Sequence, residues 1–135
     1  MQKIWLTLTG AAVIFVLAGC SKDALWQGAY EGDQDRVNWE LHWHHDRINE
    51  LDQAKQWTPL QYAISNSYGD MAALLLKKGA DPEVRSGDGR TARDFADDVE
   101  NSIMRQFIVD RIDQTLAQRN AEQSESVVAT AESTP

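Results

Sequence analysis

The sequence predicts an all-α repeat protein, and three observations predict it. The hexapeptide Thr58-Pro59-Leu60-Gln61-Tyr62-Ala63 returns in degenerate form 33 residues later as Thr91-Ala92-Arg93-Asp94-Phe95-Ala96. Between the copies, Met71 to Leu76 forms an apolar stretch that closes on Lys77-Lys78-Gly79, a helix with a glycine stop. Downstream, Ile103, Met104, Phe107, Ile108, Ile112 and Leu116 recur at helical spacing. Self-similarity at a fixed period marks stacked units, each too small to bury its apolar face alone.

From the N-terminus, Lys3 supplies a short basic leader, Ile4 to Val16 is almost wholly apolar, and Leu17-Ala18-Gly19-Cys20 closes the run with the only cysteine in the chain. The apolar stretch is too short to span a bilayer comfortably. The four closing residues resemble the bacterial lipobox. That resemblance implies a signal peptide over 1–19, cleaved before Cys20, with a diacylglyceryl group on the Cys20 sulfur and an N-acyl chain on its freed amine. Two or three chains anchor a protein stably to a membrane without spanning it. Ser21, by resemblance to enteric lipoproteins, favours the outer membrane over the inner. The expected location is the bacterial cell envelope, on the periplasmic face. Residues 20–24 form a tether of at most about 14 Å when extended.

The central residues resemble the ankyrin repeat, whose period is 33. Thr58 is placed to cap a helix, Pro59 to occupy the first helical position, where no backbone donor is needed, and Leu60 and Ala63 to face inward. Ala63 and Ala73 are small where two helices approach closely, and Leu74 to Leu76 fill the space between units. Gly79 leaves the second helix in a left-handed conformation, so Gly79→Val is expected to damage folding. A degenerate first unit reads from Leu25 through Gly28-Ala29 and Gly32-Asp33 to Val37 and Leu41, aligned 35 residues ahead of Leu60, Ala63 and Leu76. The third unit, Thr91 to about Val109, carries Ala92 for proline and Arg93 for leucine. Those departures suit a terminal unit with a wet outer face. The expectation is a short ankyrin solenoid of about three helix-turn-helix units with hairpin loops.

Residues 25–119 are assigned to the repeat domain with an extended C-terminal helix, which either folds back on the third unit or offers an apolar stripe to a partner. Residues 120–135 lack a periodic apolar face and are expected to be a disordered acidic tail. With Cys20 lipidated no thiol is left for a disulfide, so stability comes from packing.

The chain carries 13 Lys and Arg against 21 Asp and Glu, a net charge of −8. Loss of residues 1–19 removes Lys3 alone and leaves −9. Such a surface repels nucleic acid and anionic lipid, and suits solubility or a basic partner. Nothing in the chain reads as a catalytic constellation. The histidines lack a recognisable triad partner, there is no Gly-x-Ser-x-Gly elbow, and Gly87-Asp88-Gly89 is a turn rather than a phosphate loop. The expectation is a protein that is not an enzyme and needs no cofactor beyond its covalent lipid. His42, His44, His45 and Asp46 are the one candidate metal cluster. Their near-adjacent spacing makes convergence on one ion difficult, and metal binding stands as an alternative.

The resemblance to ankyrin repeats implies partner binding through first helices and hairpin tips. Carried onto this chain, the first-helix candidates are Trp26, Tyr30, Gln61, Ser65 and Asn66. The hairpin candidates are Trp43, His45, Arg47, Arg85, Asp88 and Arg90, a set rich in residues that dominate interfaces. The function expected is a membrane-tethered periplasmic module that binds another protein. In architecture it is similar to small envelope lipoproteins that act as immunity proteins against periplasm-directed toxins. An accessory or scaffold subunit of an envelope complex is the alternative within binding.

Overall fold

The computed structural model describes residues 23–132. The leader, the lipobox and Cys20 lie outside the described residues, as do the last three positions of the chain. The described chain is helical, without strands: α1 (Ala24–Glu31), α2 (Gln34–Trp43), a 3₁₀ turn (His45–Asn49), α3 (Pro59–Ser65), α4 (Gly69–Lys77), α5 (Ala92–Asp97) and α6 (Ser102–Glu132). It is a short all-α repeat. The hairpin loops expected between units are turns held by individual hydrogen bonds, with no sheet ladder.

Each unit is a pair of helices reversed by a tight turn. After α1, Gly32 adopts φ +75° and the Asp33 N–H returns to the Gly28 carbonyl at 2.9 Å. Ser67 holds the equivalent place after α3 at φ +60°, with the Tyr68 N–H on the Ala63 carbonyl at 2.9 Å. After α4, the N–H groups of Gly79 (φ +97°) and Ala80 return to Leu76 and Leu75, as the glycine stop requires. At Ser67 a side chain occupies a left-handed conformation that the first unit assigns to Gly32. Ser67→Gly is therefore expected to raise the unfolding free energy by up to about 1 kcal/mol, measurable by urea titration.

Helix starts are set by local chemistry. Asp33 accepts from the Arg36 N–H at 3.0 Å, and Asn101 accepts from Ile103 and Met104 at 3.0 and 3.1 Å. Thr58 and Gln61 form a reciprocal capping box, with Pro59 in the first helical turn. At the third unit the Asp94 carboxylate takes the Thr91 N–H and hydroxyl at 2.7 and 2.8 Å.

The first helices α1, α3 and α5 pack side by side into one layer, α2 and α4 pack behind α1 and α3, and α6 packs on α4 and α5. Leu25, Ala29, Val37, Leu41, Leu60, Ala63, Ile64, Met71, Leu75, Phe95 and Ala96 form one continuous core. Gly69 lets α6 approach: a Cβ there would stand 2.4 Å from the Met104 sulfur and 3.0 Å from the Phe107 ring. Ile108 and Ile112 are fully buried and Leu116 partly so, so the C-terminal helix folds back on the repeats as an end cap. Arg93, in the place of leucine, turns outward and pairs with Asp113 on that cap. Ile103 stays in water at 82% exposure.

The expectation of disorder from residue 120 needs correction. The cap helix runs on to Glu132, although residues 120–131 are exposed throughout. From Ser102 to Glu132 there is no glycine or proline, and alanine, glutamine, glutamate and arginine recur. A helix already nucleated by packing adds such residues without a new nucleation cost. None of the described helices is long and apolar enough to cross a membrane.

Candidate functional site

The row of first helices carries a chain of aromatic rings that crosses all three units. Tyr30 on α1 meets Tyr62 on α3 edge-on at 6.2 Å between centroids, Tyr62 meets Trp57 at 5.2 Å, and Trp57 meets Phe95 on α5 edge-on at 4.8 Å. Two cations lie over this row. The Lys55 ammonium is 4.5 Å from the Trp57 centroid and 5.7 Å from that of Tyr62, and the Arg90 guanidinium is 4.3 Å from that of Phe95.

Asp52 fixes the loop that presents Trp57 and Lys55. Its carboxylate is buried and accepts from the N–H groups of Ala54, Lys55 and Trp57 at 2.9, 3.1 and 2.8 Å, and from the Tyr62 hydroxyl at 3.1 Å. Desolvation pushes this carboxyl up, but the three backbone donors and the phenol together outweigh it and hold its pKa below the usual aspartate value. The same contact acts oppositely on Tyr62. Burial, and then the hydrogen bond and charge of Asp52, push the phenol up to about 12.

Two depressions open along the row. One, of about 430 Å³, lies between Trp26, Tyr30, Asp52, Lys55 and Tyr62, with Asp23 at its rim. The other, of about 480 Å³, is lined by Trp57, Ser65, Arg90, Phe95, Asp98 and Glu100. A larger hollow of about 690 Å³ follows the seam of α4 and α6, but it carries no aromatic ring and lies on the second-helix side, walled by α4 and the cap helix. The aromatic row is therefore the better candidate for recognition.

The sequence-based candidates divide on this geometry. Trp26 and Gln61 are corrected from binding residues to interior pins. Trp26 is 5% exposed, its indole N–H donates to the Glu50 carbonyl at 3.2 Å, and the Arg47 guanidinium lies 4.7 Å from its ring centroid. Gln61 is 1% exposed, and its amide donates to the Val84 and Arg90 carbonyls at 2.9 and 3.2 Å. The two are equivalent positions 35 residues apart, each tying its first helix to the loop at the end of its own unit.

Tyr30, 51% exposed, and Ser65 sit on the row, while Asn66 beside them donates to the Tyr62 carbonyl at 3.0 Å. Arg47 pairs with Glu50 at 2.8 Å, and the His45 Nε2–H donates to the Lys78 carbonyl at 2.8 Å, joining the first unit to the second. Arg85 donates to the Gly89 carbonyl at 2.8 Å and, like Asp88, remains exposed at the turn tip. The Ser86 hydroxyl, donating to Asp88, is the main cause that holds that carboxyl below its usual range. Arg90 pairs with Asp98 and also donates to the Asp94 carbonyl at 2.9 Å.

The metal alternative finds no convergent ligands. His42 rests edge-on against Trp43, His45 is engaged with Lys78, and no group of three His, Cys, Asp or Glu close enough to hold an ion occurs among the described residues. Asp52, Lys55, Trp57, Tyr62 and Phe95 were not among the candidates. The spacing of Tyr62 and Phe95, 33 residues apart on successive first helices, was the available signal.

Paired helices stacked first helix to first helix define a short all-α repeat protein. More particularly, residues 55–87 match the ankyrin repeat family, a segment that runs from Lys55 through α3 and α4 to Gly87. Ankyrin repeats are protein-interaction modules, and this chain contains one. No curated protein matches the chain significantly.

Proposed function

We propose that this chain is a lipid-anchored protein of the bacterial envelope, held at the membrane by acylated Cys20, that captures another protein on the face formed by Tyr30, Lys55, Trp57 and Arg90, which the buried rings of Tyr62 and Phe95 support from beneath. The observation that carries the binding assignment is the continuity of the aromatic row across three first helices, with Lys55 and Arg90 laid over it. Rigid aromatic rings beside long cations supply contact area at low entropic cost. Carboxylates of Asp23, Asp98 and Glu100 at the margins favour a partner with basic side chains. The anchor rests on Leu17-Ala18-Gly19-Cys20, and the periplasmic location follows from it. Neutralising an envelope-directed toxin is the purpose that best suits a small acidic module without a catalytic set.

Two measurements test this reading. Cys20→Ser is expected to accumulate as an unprocessed precursor without labelled fatty acid. Normal processing and labelling of that variant would remove the anchor. For the face, the full-length protein serves as bait in native envelopes. Tyr30→Ala and Lys55→Ala, both at exposed positions, are expected to reduce capture of the partner at least tenfold while leaving the helical circular dichroism unchanged. Equal capture by both variants would move the interface off the row.

A further inference from the structure

A second aromatic feature lies away from the row. On α2, Trp39 and Trp43 are 65% and 63% exposed, four residues apart on one face, with ring centroids 6.1 Å apart. The opposite face of the same helix is the one that packs, through buried Val37 and Leu41. His42 sets an edge against Trp43 at 4.8 Å, so the pair and the imidazole make one amphipathic patch. Two large indoles left in water on an otherwise acidic module call for an occupant.

Their place in the fold suggests which. The chain reverses at Gly32-Asp33, so α2 packs back along α1, and α2 ends at Trp43 on the side from which α1 starts at Ala24. Cys20 is four residues before Ala24, a reach of at most about 14 Å. A lipid on that sulfur therefore holds this end of the first unit against the headgroups.

We propose that Trp39 and Trp43 insert into the bilayer interface and that the occupant of this patch is the lipid surface itself. The proposal rests on the Cys20 anchor. Indole rings carry an apolar body and one N–H donor, which suits the boundary between headgroup and acyl chain. Asp35, Glu40 and Asp46 lie near the pair, so attraction to anionic lipid is not the cause, and the contact should survive high salt. A tether alone leaves orientation free. The tether plus two inserted rings fixes the first unit on the membrane by its second-helix side and leaves the row of first helices open to the periplasm.

The test uses the full-length protein purified from bacterial membranes and reconstituted into phosphatidylethanolamine and phosphatidylglycerol vesicles, with plain or brominated acyl chains. Intact mass reports acylation of Cys20 in the same sample. Brominated lipid is expected to quench the wild-type emission, equally in low and high salt, and W39F/W43F is expected to lose most of that quenching while keeping its helical content. The difference between the two proteins isolates this pair from the other tryptophans. Acylated Cys20 with no such difference overturns the membrane contact and leaves the anchor standing, transferring the patch to a protein partner. Unacylated Cys20 overturns the anchor, and the membrane contact falls with it.

Discussion

Asp52→Ala is expected to lower the unfolding free energy by about 2–4 kcal/mol, because it strands the N–H groups of Ala54, Lys55 and Trp57 and the Tyr62 hydroxyl together. Those four donors have no second acceptor of comparable geometry in the loop. The loss propagates to the binding face, since Trp57 and Lys55 are held in place by the same carboxylate. Asp52→Asn keeps one acceptor oxygen and should cost about half as much. The acid limb gives an independent check. The folded carboxyl titrates below its ordinary value, so its stabilisation is complete above the unfolded pKa of about 4 and fades as pH falls through the lower folded value. Urea titrations between pH 2 and 6 should show that slope in the wild type and a shallower one in Asp52→Asn; identical slopes would deny Asp52 this role. Tyr62 works at the other end of the scale. Its neutral form is preferred in the fold, so its contribution is full below about pH 10 and disappears as pH rises through about 12.

The second large effect is expected at Gln61. Gln61→Glu keeps the shape of the side chain and the bond from the Thr58 N–H, yet replaces two amide donors with an oxygen that faces the Val84 and Arg90 carbonyls. A carboxylate at 1% exposure against two acceptors either takes up a proton or separates the loop from α3. A loss of about 2–4 kcal/mol near neutral pH follows, partly recovered below pH 5 as the new carboxyl is protonated. Thermal unfolding of Gln61→Glu at pH 4.5 and 7.5 reads this directly. Stability equal to wild type at both values would show that the amide does not pin the loop.

These two residues show what kind of information was legible in the chain. Thr58, Pro59 and Gly79 act on their own backbone, through a cap, a fixed φ and a left-handed stop, so their roles follow from position within the repeat alone. The place of Gln61 on a first helix is visible in sequence, whereas the partners of its amide lie 23 and 29 residues away and are not. The same holds for Trp26, whose acceptor is 24 residues downstream. The tail shows the converse. Its helicity is a local property of composition and needs no buried face.

Neighbouring residues encode the helix starts and stops within the repeats, because a 33-residue period and its caps are local features of the chain. The run Leu17-Ala18-Gly19-Cys20, on which the proposed anchor rests, is likewise contiguous. The packing of the units sets which aromatic rings join into a row, makes Asp52 carry the loop beneath it, and leaves Trp39 and Trp43 outside the core. Those outcomes depend on side chains from different units meeting in space, and distance along a chain does not encode that meeting until the units are stacked.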